Sequence, residues 1–257
     1  MSNKLLILVT NDDGINSQGI QHLINLMSSL GEVYVVAPNK DQSGMAHSIT
    51  INSTITYQKI VINPLAKAEY QCTGTPVDCV KIAINKILPK KPDLCVSGIN
   101  HGSNSSINII YSGTMSAAIE ASIHNIPAIG FSLCDDGDHP NFILYSKFIL
   151  SIVKTVLKNK LPKGISLNVN IPKLVNNKIK GIKICRQSEA NWVETFHEYK
   201  NSKNKKYYWL TGNLNISDLS KKSDELALLN HYISIVPVKY DLTNYSSIDI
   251  LNSWNFN

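Results

Sequence analysis

Arginine is nearly missing from this chain: Arg186 is the sole one among the 25 basic residues. Bidentate arginine is the usual grip on phosphate and the usual reader of guanine, so any anion here must be held by metal, backbone N–H, hydroxyl, amide or lysine groups. Sequence-specific DNA binding is therefore not expected. The net charge of +6 is lysine charge, spread along the chain and densest at Lys200, Lys203, Lys205 and Lys206, which reads as a solvated surface. The five cysteines, Cys72, Cys79, Cys95, Cys134 and Cys185, are odd in number and lack CxxC spacing. They exclude a disulfide framework and a zinc ribbon and point to reduced thiols in a cytoplasmic protein. No apolar run approaches the length of a membrane span, and the first one is too short for a signal-peptide core, so a soluble protein is expected. Also missing are a GxSxG elbow, a GxxxxGK(S/T) loop, a GxGxxG after the first strand and an HExxH, which removes support for four common enzyme classes.

What is present is an apolar content of 43% over 257 residues, enough to bury the core of one large α/β domain. Apolar runs alternate with longer amphipathic segments through the first two thirds, the βαβ pattern of a doubly wound sheet. Strands are expected at Leu5–Val9, Val33–Ala37, Asp93–Val96 and Ala128–Phe131. Between the first two, Leu23, Ile24, Met27 and Leu30 recur at helical spacing, and Gly31 ends that helix. Thr75-Pro76-Val77-Asp78 forms a capping box with proline at the first helical position. Residues 49 to 61 alternate apolar and polar side chains and read as a hairpin strand lying outside the main sheet. A helix over Phe142–Leu157 and a strand over Ile165–Ile171 follow. Residues 173–206 are polar, with one strand expected at Ile179–Cys185, and Tyr207–Leu210 and Tyr232–Val236 read as further strands. No linker forces a domain cut, so the chain reads as a single domain over 1–257, with a core over 1–172 and a C-terminal extension over 173–257.

The chemistry gathers at the ends of the expected strands. Asp12 and Asp13 follow the first, where the ligand crevice of an open α/β sheet lies. Two adjacent carboxylates repel, and a hard cation such as Mg²⁺ or Mn²⁺ offsets that cost; a plain turn is the competing reading of Asn-Asp-Asp-Gly. The loops after Ala37 and after Val96 open on the same edge, and from them Ser43 and Asn100 would complete an all-oxygen shell. Tyr111-Ser112-Gly113-Thr114 precedes a helix of small residues. Its free N–H groups, with the amide of Asn104, form a candidate phosphate cradle that needs no arginine, although Ser112 or Thr114 serving as a simple N-cap reads equally from the sequence. His47 is a candidate proton donor or a structural histidine.

TNDDG at 10–14, AP at 37–38 with DQSG at 41–44, HSIT at 47–50, GTPVDCV at 74–80, PDLCVSGINHGSN at 92–104 and YSGTMSAAIE at 111–120 together resemble the SurE (survival protein E) family of metal-dependent nucleotidases. Weaker traces continue with LNVNIP at 167–172, YYWLTG at 207–212 and SIVP at 234–237. The resemblance implies a Rossmann-like, mostly parallel sheet with a protruding β-hairpin and a C-terminal arm. It also implies one divalent ion per subunit, Mn²⁺ or Mg²⁺, held by Asp12, Asp13, Ser43 and Asn100, with Asp12, Asp13 and Asn100 acting in catalysis. Asn104, Ser112, Gly113 and Thr114 match positions near the phosphate, and Asn11 and Gly44 join them as substrate contacts. The implied reaction is hydrolysis of nucleoside 5′- or 3′-monophosphates, with short polyphosphate a further substrate, by a homodimer or homotetramer. A nucleotide-binding sensor without turnover and a metal-dependent deacetylase are the alternatives; the second normally needs histidine ligands, and none lies near Asp12 in sequence.

Overall fold

The computed structural model describes residues 4–135, 137, 140–174, 178–218 and 220–256. Its frame is a nine-stranded sheet. The strands are β1 (Leu6–Thr10), β2 (Glu32–Pro38), β3 (Tyr57–Ile60), β4 (Ala68–Cys72), β5 (Leu94–His101), β6 (Ala128–Cys134), β7 (Ile165–Pro172), β8 (Gly181–Ile184) and β11 (Tyr232–Lys239). Across the sheet they run β3-β4-β2-β1-β5-β6-β7-β11-β8. β3 on β4 and β11 on β7 are antiparallel, and the other neighbours are parallel. The order reverses at β1, which has β2 on one side and β5 on the other. A crevice therefore opens beyond the carboxyl ends of β1 and β5, where a doubly wound sheet binds its ligand.

Alternate residues of β1 serve two cores. Ile7 and Val9 pack with α1 (Gln18–Ser28) and α4 (Ser146–Asn159) on one face, while Leu8 packs with α2 (Pro76–Ile82) and α3 (Gly113–Ile123) on the other. A strand covered on both faces has no polar side to show, which is why the run reads as continuously apolar. The Thr75 capping box is formed, with Thr75 Oγ1 accepting from the Asp78 N–H and Asp78 accepting from the Thr75 N–H. Cys72, Cys79, Cys95 and Cys185 are buried thiols.

Two expectations change. Residues 49–56 form no strand, and only Tyr57–Ile60 does so, as the edge strand of the main sheet rather than outside it. The alternating side chains there are mostly exposed, so no core face fixes a long pairing register. Within 173–206, of which 175–177 lie outside the described residues, the structure holds an eleven-residue strand that went unexpected, β9 (Ala190–Lys200). It pairs with β10 (Lys206–Ile216) over its whole length as a separate antiparallel hairpin. Asn201 builds the turn, its Oδ1 accepting from the N–H groups of Lys203 and Lys205. The division at residue 172 is one of chain and not of sheet, because β8 and β11 return to the main sheet. The short helices α5 (Asp224–Leu229) and α6 (Ile248–Asn252) complete the extension.

Candidate active site

An open cleft of about 480 Å³ lies at the reversal of strand order, lined by Asp12, Ser43, Gly44, Asn100, His101, Ser103, Asn104, Asn108, Tyr111, Ser112 and Trp192. Asp12 comes from just beyond β1, Ser43 and Gly44 from the loop after β2, and Asn100 from the end of β5. These distant stretches meet because β2, β1 and β5 are neighbours that all run the same way.

Asp12 is 3% exposed. Its Oδ1 accepts the Thr114 hydroxyl at 2.5 Å, and the Thr114 backbone N–H donates to it as well. The start of α3 is therefore spent on Asp12, where the positive helix end favours a carboxylate. Gly113 allows that approach: a Cβ there would lie 2.7 Å from the Asp12 Cβ. Burial pushes the Asp12 carboxyl up against these hydrogen bonds, and the Asp41 charge adds to the rise. Asp13 is pushed up to about 7, first by burial and then by the charges of Asp12 and Asp41, with the His101 backbone N–H opposing.

Asn100 sits past a bulge in β5, between Ser97 and Asn100. Gly98 makes the bulge feasible, with φ +119° and a position where a Cβ would meet the Phe131 carbonyl oxygen at 2.3 Å. The Asn100 amide N–H donates to the Gly102 carbonyl at 2.9 Å, which turns its amide oxygen away from that contact. Ser43 donates from Oγ to Asp41 Oδ1 at 2.5 Å, while the Gln42 N–H donates to the Asp12 carbonyl and fixes the loop beside it. Asn104 is held by a polar network from the middle of the sheet. Its Nδ2 donates to Ser132 Oγ, its N–H to Asn170 Oδ1, and its carbonyl accepts from Asn168 Nδ2. The polar residues of LNVNIP thus have a positioning role under the cleft.

The donor set suits a hard cation: two carboxylates, a hydroxyl and an amide oxygen, all from one sheet edge. Among the described residues no three His, Cys, Asp or Glu side chains, carboxylates included, form a metal cluster. The groups bearing on Asp12 and Asp13 are hydroxyl and N–H donors and a further carboxylate, Asp41, with no basic side chain among them. Like-charged groups brought together in this way gain from a shared cation.

Several expected site residues sit differently from their roles: Asp13 and Gly113 are absent from the cleft lining, Gly113 lying against the Asp12 side chain. Asn11 does not line the cleft; its Nδ2 donates to the Gly14 carbonyl and Ser17 Oγ, so it holds the turn. Thr114 faces Asp12 rather than open space. Ser112 does line the cleft, but its Oγ is the N-cap of α3 and accepts from the Met115 N–H at 3.0 Å. His47 is turned to Glu120 on α3, 3.0 Å from Oε2, and is absent from the cleft lining; His101 is the histidine there. Tyr111 and Trp192 were not singled out from the sequence as site residues. Trp192 reaches the cleft from β9, about 90 residues beyond the loops it joins, and no local pattern signals such a contact.

The family described as Survival protein SurE matches residues 7–194. Among curated proteins, the 5′-nucleotidase SurE of Christiangramia forsetii is 57% identical over 255 residues, covering 99% of this chain and 98% of its own. That of Flavobacterium psychrophilum is 55% identical over 254 residues, covering 99% of each. The crystal structure of the SurE protein from Aquifex aeolicus superposes with a TM-score of 0.82 at 38% identity, over 96% of this chain and 98% of that one. With the family match spanning most of its length, the chain belongs to the SurE family.

Proposed function

We propose that the protein is a divalent-metal-dependent phosphomonoesterase that hydrolyses nucleoside 5′- and 3′-monophosphates to nucleoside and phosphate, with short polyphosphate as a further substrate. The observation that carries the reading is the meeting of Asp12, Ser43, Asn100, Asn104 and Ser112 in one open cleft. The relatives named 5′-nucleotidase support it.

Asp12, Asp13, Ser43 and Asn100 would hold one Mn²⁺ or Mg²⁺, which when bound would polarise a phosphoryl oxygen and make water more acidic. Thr114 and the start of α3 fix Asp12 in one orientation. Asn104, locked by Ser132, Asn168 and Asn170, presents its side chain to the phosphate, and Gly44 and Ser112 bound the same space. Preorganised dipoles of this kind stabilise charge that develops on the transferring group without reorganising. The single arginine lies far along the chain, bonded to Ser220 and paired with Asp218, so the positive charge for the phosphate would come from the cation, with Asn104 as an amide contact.

The test is phosphate release from adenosine 5′-monophosphate with Mn²⁺ or Mg²⁺, before and after EDTA. Release that EDTA abolishes and fresh cation restores is the expected result; binding without release in either cation overturns the reading in favour of a sensor. Among the described residues no helix is long and apolar enough to cross a membrane, and we place the protein in the cytoplasm. We also infer a homodimer or homotetramer, because the β9–β10 hairpin and the last residues expose Phe196, Tyr208, Trp209, Trp254 and Phe256. A monomer by light scattering at micromolar concentration overturns that.

A further inference from the structure

We infer that Trp192, with Tyr111, is the seat of the nucleobase, so that the hairpin of the C-terminal extension selects nucleotides for a phosphatase centre built by the core. The inference rests on the phosphomonoesterase reading above and concerns which phosphate esters that centre prefers.

The cleft has a polar part and an aromatic part. Asp12, Ser43, Asn100 and Asn104 come from strand ends, whereas Tyr111 and Trp192 supply its two phenol or indole rings. Both rings are solvent-accessible, Tyr111 being 52% and Trp192 38% exposed. An indole usually spends its one donor on a neighbour and offers its faces to whatever packs on it. Trp192 does the first already: Nε1–H donates to Asn108 Oδ1 at 2.9 Å. Asn108 lies in the short 3₁₀ turn Ser106–Ile110, between Asn104 and Ser112. The indole is therefore fastened to the segment that links two of the phosphate-side residues.

The root of the strand is fastened as well. Asp224 is fully buried, and its carboxylate accepts the Ser106 N–H at 2.8 Å and the Ser188 N–H at 2.9 Å. Ser106 Oγ donates in turn to the Ser188 carbonyl at 2.9 Å. This clamp ties the residue four positions before Trp192 to the start of the turn that holds Asn108. It fixes the ring relative to the cleft even though the rest of β9 is exposed. A ring held in advance loses little freedom when a base stacks on it. Stacking on aromatic faces tolerates any base, since every base has a π-face, so the expected substrate class is nucleoside monophosphates at large rather than one of them.

The experiment compares adenosine 5′-monophosphate with ribose 5-phosphate, which keeps the ester and sugar but has no base. In Trp192→Ala the ratio of kcat/KM for the nucleotide over the sugar phosphate should fall by about 5- to 150-fold, the range expected for one stacked base. The change should appear in KM, and Trp192→Phe should restore most of the ratio. An unmoved ratio, whether both substrates lose activity together or neither does, overturns the inference. If the unaltered protein releases phosphate from neither compound, the phosphatase reading falls, and fluorescence still tests the base seat. Titration with adenosine 5′-monophosphate in Mg²⁺ should then quench emission from the unaltered protein more than from Trp192→Phe, while ribose 5-phosphate quenches neither; equal response of the two proteins overturns the inference.

Discussion

Two buried carboxylates touch the same helix and are treated in opposite ways. Asp12 meets the first turn of α3 and is 3% exposed; Glu120, farther along α3, is 2% exposed. Around Glu120 the chain gathers three bases: Lys81 Nζ at 2.6 Å, His47 Nε2 at 3.0 Å and His124 Nε2 at 3.2 Å. Burial raises the Glu120 carboxyl, but the hydrogen bonds and charges of His47 and Lys81 outweigh it and hold it at about 2. Around Asp12 it gathers a hydroxyl, N–H groups and two more carboxylates, Asp13 and Asp41, and the carboxyl is raised. Both are shielded from solvent, but Asp12 lies deeper among surrounding atoms and has no base beside it, whereas the bases around Glu120 outweigh its burial. Glu120 has its cations within the chain and serves the fold, tying α2 and the loop through His47 to α3. The acidic group at the cleft is supplied with shape and orientation but not with positive charge, which is the condition for taking that charge from a bound ion.

The comparison can be broken most sharply at Asp12. Loss of a hydrogen-bond partner of a metal ligand costs about 10–100-fold in affinity or activity, so Asp12→Asn, which removes the ligand's own charge, should cost more than about 100-fold in phosphate release at saturating Mn²⁺. Its unfolding midpoint in urea should stay level or rise, because a repulsive buried charge is gone; a variant with near-normal turnover would show that Asp12 holds nothing. Next comes Thr114→Val, which keeps the side-chain volume but removes the hydroxyl that orients Asp12. A loss of about 10–100-fold in Mn²⁺ affinity is expected by titration calorimetry, with recovery in Thr114→Ser.

At Glu120 the expectation is reversed, with stability lost rather than catalysis. Glu120→Gln should destabilise by about 1–3 kcal/mol at pH 7 in urea unfolding, since hydrogen bonds to a charged group are lost around a buried side chain. The sign with pH follows from a folded pKa of about 2 set against the ordinary glutamate value of 4.5. The carboxylate's contribution is fully present above the unfolded value and is lost as pH falls toward the folded one. The gap between Glu120→Gln and the unaltered protein should therefore close between about pH 5 and pH 2. The smallest effect is expected at His124, a partly exposed partner one turn along the helix from Glu120: His124→Ala should change stability by about 0.5 kcal/mol or less. A loss as large as that at Glu120 would mean that the three bases act as one unit.

Much of this was legible in short stretches of chain. Leu5–Val9 announces a strand covered on both faces, Thr75–Asp78 a capped helix, and Asp12 just beyond β1, Ser43 in the loop after β2 and Asn100 at the end of β5 lie where a parallel sheet delivers them to one edge. The roles of single residues were less legible. Thr114 matches a phosphate-side position in the motif, yet its hydroxyl goes to Asp12. Asn11 sits in the same motif as Asp12 and ends on the turn. His47 lies four residues from Ser43, but its partner is Glu120, 73 positions away. A motif records which residues recur together, and a hydrogen-bond partner depends on which element lies opposite.

The strands and helices of the core, and the sheet edge on which acidic and amide groups collect, follow from periodicity and capping, because those forces act between residues a few positions apart. Strand β9 escaped because both of its faces are exposed in a single chain and nothing local selects its period; pairing with β10 makes it a strand. The same holds for Trp192 in the cleft and for the Asp224 clamp that keeps it there. Those contacts join residues 80 to about 120 positions apart, and they exist only once the sheet has brought the extension back beside the core.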